Sequence, residues 1–230
     1  MNSVGEQILD ALQAVQAERA VRQADPALGP RVIAVKAWQH QRFARSHADL
    51  LAHPRYGAAA GFFLDDLYGP RDFSERDAQF RRVVPALVRL FPAELVATVR
   101  ALAALHALSE QLDSGLARHV HHLPLDDAHY GQAWREFGHV QQREQQIELV
   151  LQVGHALDVY TRNPLLRQSL RLMRGPARLA GLADLQRFLE TGFDTFAAMH
   201  GAQDFMARIA ARERAEVQRL FNQPPPHDDR

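Results

Sequence analysis

Proline and glycine punctuate this chain so as to leave helix-length segments between them, and no segment alternates apolar and polar residues as a strand would. Ser3 and Glu6 form a capping box ahead of Ile8, Leu12 and Val15 at helical spacing, and the segment stops near Asp25-Pro26. A second helix is predicted from about Pro30, carrying Val32, Val35, Trp38 and Phe43 and ending before His53-Pro54. A third runs from Gly57 to Tyr68. A fourth, capped by Asp72 or Ser74, holds Phe80, Val83 and Val84 and is kinked or broken by Pro85. Pro92 opens a long helix from Ala93 to about Val120. After a loop at 121–127, a helix interrupted at Gly138 reaches Arg162. Pro164 starts a short helix, Gly175-Pro176 separates it from Ala177–His200, and the last helix runs from about Ala202 to Phe221. The expectation is one all-α domain over 1–221, of eight or nine helices packed as a bundle or orthogonally. Residues 222–230 are expected to be a disordered tail.

Composition narrows the function classes. With 47% hydrophobic residues among 230, the chain can bury a sizeable core. Its 27 basic and 27 acidic residues cancel, so neither nucleic acid nor a membrane is expected as a partner. The absence of cysteine excludes disulfides, thiolate metal sites and cysteine nucleophiles, leaving twelve histidines and the carboxylates as potential metal ligands. The N-terminus lacks a signal-peptide pattern and no window approaches about 20 apolar residues, so the expected location is cytoplasmic. Lys36 is the one lysine among the 27 basic residues, a bias that fits a GC-rich bacterial genome.

The block FFLDDLYGPRDFSERD at 62–77 is the most distinctive stretch. Acidic groups there complement a helix N-terminus, and Arg71 and Arg76 can pair with Asp65, Asp66 or Asp77. Two readings follow: a corner held by ion pairs, or a pocket rim on which Asp66, Tyr68, Arg71 and Asp72 face a ligand. This block, with RLMRGPARLAGL at 171–182 and LQRFLETGFDTF at 185–196, resembles a bacterial family of helical proteins of unknown function. The resemblance covers most of the chain and implies a helical fold. It implies no catalytic residues.

Polar residues on apolar faces supply the remaining candidates. At 100° per residue, His106 and Asp113 fall in one stripe with Leu95, Val99, Leu102 and Val120, and Glu110 lies on its shoulder. Around Ile147, Asp158 falls in line with Val140 and Leu151, with Glu144 and His155 towards an edge. Packed together, the two helices would set His106, Glu110, Asp113, Glu144 and Asp158 around one polar cavity, or pair them with core-facing arginines such as Arg143 and Arg162. Di-iron bundles need two Glu-x-x-His motifs, and only Glu136-x-x-His139 fits, so no metal site is expected. Haem on His106, His155 or His200 is an open alternative. Arg167, Arg171, Arg174 and Arg178 form a basic edge that would either hold a small anionic ligand or pair with acidic helices. No phosphate-cradling loop, nucleophile elbow or dinucleotide fingerprint occurs.

Two functions stand at this point. One is a non-catalytic small-ligand-binding or interaction domain, with a homodimer through an apolar helix face as one form. The other is an enzyme or a cofactor binder, haem or carboxylate-histidine metal, using an interior cavity between the 93–120 and 140–162 helices.

Overall fold

The structure is a computed structural model that describes residues 3–67, 69 and 73–222. Among these residues there is no strand. Eleven helices longer than one turn are present, rather than eight or nine: α1 (Val4–Ala24), α2 (Leu28–Ser46), α3 (Gly57–Phe62), α4 (Ser74–Leu90), α5 (Ala93–Arg118), α6 (Asp127–Phe137), α7 (Val140–Tyr160), α8 (Pro164–Leu172), α9 (Arg174–Leu179), α10 (Ala183–Ala198) and α11 (Gln203–Asn222). A single turn, Ala48–Leu51, follows α2. Among the described residues no helix is long and apolar enough to cross a membrane.

Local chemistry accounts for most boundaries. Ser3 and Glu6 close their capping box around α1. Asp25 accepts the backbone N–H groups of Ala27 and Leu28, which starts α2 two residues before Pro30 and leaves that proline in the first turn. Asp126 caps α6 by accepting from His129 N–H at 2.8 Å. The α6–α7 break falls at Gly138 and His139, both at positive φ.

Three expectations need correction. Pro85 neither breaks nor ends α4, because it lies on the exposed face, where water can take up the carbonyl it fails to bond. Gly175-Pro176 lies inside α9, since Pro176 occupies a first-turn position whose N–H has no helical partner. The chain breaks instead at Met173, between α8 and α9, and at Gly181, whose φ of 67° suits a residue without Cβ. The expected third helix changes to a π turn over Phe63–Leu67. The expected disordered tail lies outside the described residues from 223 onward, while Asn222 still closes α11.

The architecture is organised by α5, at 26 residues the longest helix. Residues 112–117 are buried without interruption, so this stretch near its C-terminus is enclosed on every side. Three apolar cores surround it. Val96 and Ala103 pack with Ile8, Leu12 and Val84. Leu105 joins Phe43, Phe62, Phe63, Val150, Phe196 and Phe205. Leu116, Ala117 and Val120 join Val32, Val35, Trp38, Tyr130, Trp134 and Leu220. The space where these cores meet is not filled, and the candidate site lies there.

Asp158 belongs to the framework rather than to that space. Its Oδ1 accepts the buried N–H of Ala202 at 2.9 Å, fixing the start of α11 against α7, and its Oδ2 takes Arg162 at 2.6 Å. Asp158→Ala strands a buried donor and is expected to cost about 2 kcal/mol. Arg162, largely exposed, is expected to cost under about 1 kcal/mol on substitution by Ala. Urea midpoints of the two variants check this ordering, and an Arg162→Ala loss equal to that of Asp158→Ala would refute it.

Candidate functional site

A cavity of about 170 Å³ runs along α5. Val99, Leu102, His106, Ser109, Glu110 and Asp113 line it from α5, so the mixed stripe read from the sequence is its wall. At a rise of 1.5 Å per residue, Val99 and Asp113 lie about 21 Å apart along the helix. The two ends differ in chemistry. Around Val99 the walls include Leu12, Phe80 and Leu87, which share its apolar core; towards Asp113 they include Lys36, Gln39, Tyr130, Trp134, Arg143 and Gln146.

The polar end is a set of buried ion pairs. Glu110 takes Arg22 from α1 and Lys36 from α2, the latter at 2.5 Å. Burial raises its pKa, but Lys36 and Arg22 outweigh that and hold it down to about 2. Asp113 is placed differently. Gln39 donates to its Oδ1 at 3.1 Å, while Lys36 stands 4.0 Å from Oδ2. Burial pushes this carboxyl up, and Glu110 adds to the effect against Lys36 and Arg143. One turn towards the apolar end, His106 Nε2 lies 2.8 Å from Oδ2 of Asp77, which Arg19 also reaches at 2.7 Å. Burial pushes Asp77 up, and the His106 hydrogen bond with the charges of His106, Arg19 and Arg76 brings it below its ordinary value.

Two donors on α6 have no acceptor among the described residues. The indole N–H of Trp134, a residue 5% exposed, makes no hydrogen bond. The hydroxyl of Tyr130 accepts from Gln39 at 3.2 Å, and no acceptor for its own proton is present. Burial pushes Tyr130 up to about 12, so it stays protonated. A buried donor left unpaired costs about 1–3 kcal/mol. The Arg143 guanidinium lies over the Trp134 ring, 4.2 Å from its centroid.

The candidates named from the sequence divide. His106, Glu110 and Asp113 share the cavity. Asp158 and Glu144 do not line it, because Asp158 caps α11 and Glu144 pairs with Arg214 at 2.6 Å. Arg174 is on the surface with Glu190 at 2.7 Å, and Arg167 pairs with Asp194 at 2.8 Å, so the basic edge is paired with α10. Asp66 sits in the π turn, its carbonyl accepting from Arg76 at 3.0 Å, and does not line the cavity. Tyr68, Arg71 and Asp72 lie outside the described residues. Among the described residues no three His, Asp or Glu side chains are grouped as metal ligation needs. Sequence reasoning missed Gln39, Asp77, Tyr130 and Trp134. The last two recur at i and i+4 on α6, a spacing that reads as ordinary core packing.

The two carboxyls three residues apart on α5 should respond oppositely to neutralisation. A carboxyl held below its ordinary value stabilises the fold above that value and loses the contribution as pH falls through the folded value. Glu110→Gln is therefore expected to lower stability at pH 7 by about 3 kcal/mol, an effect shrinking below about pH 4. A raised carboxyl has the opposite sign, costing stability as pH rises above its ordinary value. Asp113→Asn is therefore expected to match or exceed the wild type at pH 7. Denaturation midpoints at pH 4 and 7 check both, and a large Asp113→Asn loss would show a tightly paired carboxylate instead.

No curated protein and no solved structure matches the chain. A family model described as "Domain of unknown function (DUF8198)" matches residues 18–227. The helical chain with its interior cavity belongs to that family of unknown function.

Proposed function

We propose that this protein binds a small organic molecule with an apolar body and a polar head inside the cavity along α5. The observation that carries the reading is the two-ended lining: hydrocarbon around Val99 and Leu102, unpaired donors and buried charges around Asp113. An empty, purely apolar space of this size is tolerated at a stability cost, but unpaired donors beside it are costly without a partner. Size narrows the ligand. An apolar cavity of about 150 Å³ holds benzene, so 170 Å³ suits a single ring or a short chain. A haem macrocycle is several times larger, which counts against that alternative.

One observation favours a second reading, that the ligand is turned over. His106, held through Nε2 by buried Asp77, lines the cavity in the manner of an oriented general base. The finer family expectations belong with the first reading: a bacterial source, the 62–77 block as a signature, and a cytoplasmic location. Exposed Leu165, Leu172 and Leu179, spaced by sevens, support a homodimer.

Native mass spectrometry of the protein as purified tests these readings together. The expected spectrum contains a bound organic molecule of roughly six to ten non-hydrogen atoms, sized from the benzene comparison. Ala103→Leu, filling the cavity from a residue that lines it, is expected to lose that mass while remaining folded. Retention of the mass by Ala103→Leu would place the ligand elsewhere. A bound molecule that converts on incubation would favour turnover, and the charge-state series reports monomer or dimer.

A further inference from the structure

The donor groups at the polar end of the cavity specify more than a polar head. Tyr130 and Trp134 lie one turn apart on α6, 1% and 5% exposed, with ring centroids 5.8 Å apart. Both line the cavity, and each has a proton without an acceptor among the described residues. Arg143, 4% exposed, enters the same corner from α7 with its guanidinium over the Trp134 ring. Two donors without acceptors, an O–H and an indole N–H, thus lie at the polar end beside a guanidinium that already meets Gln146 and the Trp134 ring. The carboxylates close by do not compete strongly for that role. Glu110 is taken up by Arg22 and Lys36, and Asp113 is occupied by Gln39 and tilted towards its neutral form.

Resting on the cavity reading above, we infer that the ligand is a monocarboxylate on a short hydrocarbon chain or single ring, its two oxygens received by Tyr130 and Trp134 beside the positive charge of Arg143. A carboxylate supplies acceptors only, which suits two neighbouring donors beside a positive charge. An amine brings donors to a corner already full of them. An alcohol supplies one oxygen for two protons and no negative charge. The hydrocarbon then lies along His106 towards Leu102, Val99 and Phe80, where it displaces water from apolar wall. Tyr130, pushed up to about 12 by burial, keeps its proton and remains a donor across the neutral range.

Isothermal titration of the whole chain with hexanoate, hexanamide, 1-hexanol and 1-hexylamine, matched in carbon number, tests the assignment. Hexanoate is expected to bind about tenfold or more tighter than hexanamide or hexanol, with hexylamine weakest. Tyr130→Phe, which removes one donor with little change of shape, and Trp134→Phe, which also shrinks the ring, are each expected to weaken hexanoate about tenfold, and Tyr130→Phe is expected to leave hexanol nearly unchanged. Hexanol or hexylamine binding as tightly as hexanoate would overturn the carboxylate assignment while leaving the cavity as a binding site. Failure of all four to bind would overturn both. Should one variant fail to fold, the other carries the test, and hexanoate affinity unchanged in it would remove the donor corner from the ligand site.

Discussion

Glu110 is where three helices are tied together. Its carboxylate, 4% exposed, is shared by Arg22 of α1 and Lys36 of α2, and Arg22 also donates to the Glu110 carbonyl at 2.7 Å. A charge so deeply placed survives only when fully paired. Glu110 and Lys36 also line the cavity, so the ion pairs that tie these helices together form part of its wall.

The same arrangement separates groups that look alike. Glu110 and Asp113 are both acidic residues in the wall of α5, yet one is neutralised by two cations and the other meets an amide and a distant lysine. Burial raises both carboxyls, and the two cations on Glu110 reverse that shift while the neighbours of Asp113 do not. Asp77 sits between the two extremes, with His106, Arg19 and Arg76 around it. Along some 21 Å of helix the wall passes from hydrocarbon through an oriented histidine to fixed charges and unpaired donors. That gradient gives a bound molecule a direction.

Much of the helical framework was legible because its signals are local. Ser3 with Glu6, Gly138 and the prolines at helix starts act through neighbours within four residues. The errors came where context decides: whether Pro85 meets water, and which turn of a helix holds Pro176. The candidate site was legible in part for a related reason. The periodicity of α5 exposed His106 and Asp113 as polar residues in an apolar stripe, and that stripe does face the cavity. Asp158 carried the same signal and caps α11 instead, since periodicity reports burial and not the partner. Tyr130 and Trp134 gave no polar signal, because aromatic residues at helical spacing read as core. Only the absence of an acceptor beside each marks them, and that is a property of the packed structure.

The two tryptophans provide an internal control for the central claim, that this corner receives the ligand. The indole N–H of Trp38 already donates to Asp127 at 2.9 Å, whereas that of Trp134 has no acceptor among the described residues. The most direct measurement is the pair of indole signals in a proton–nitrogen correlation spectrum, assigned with Trp134→Phe and followed as hexanoate is added. The account predicts that the Trp134 signal moves downfield as it gains a charged acceptor while the Trp38 signal stays in place. A Trp134 signal that remains fixed at saturating hexanoate would contradict it.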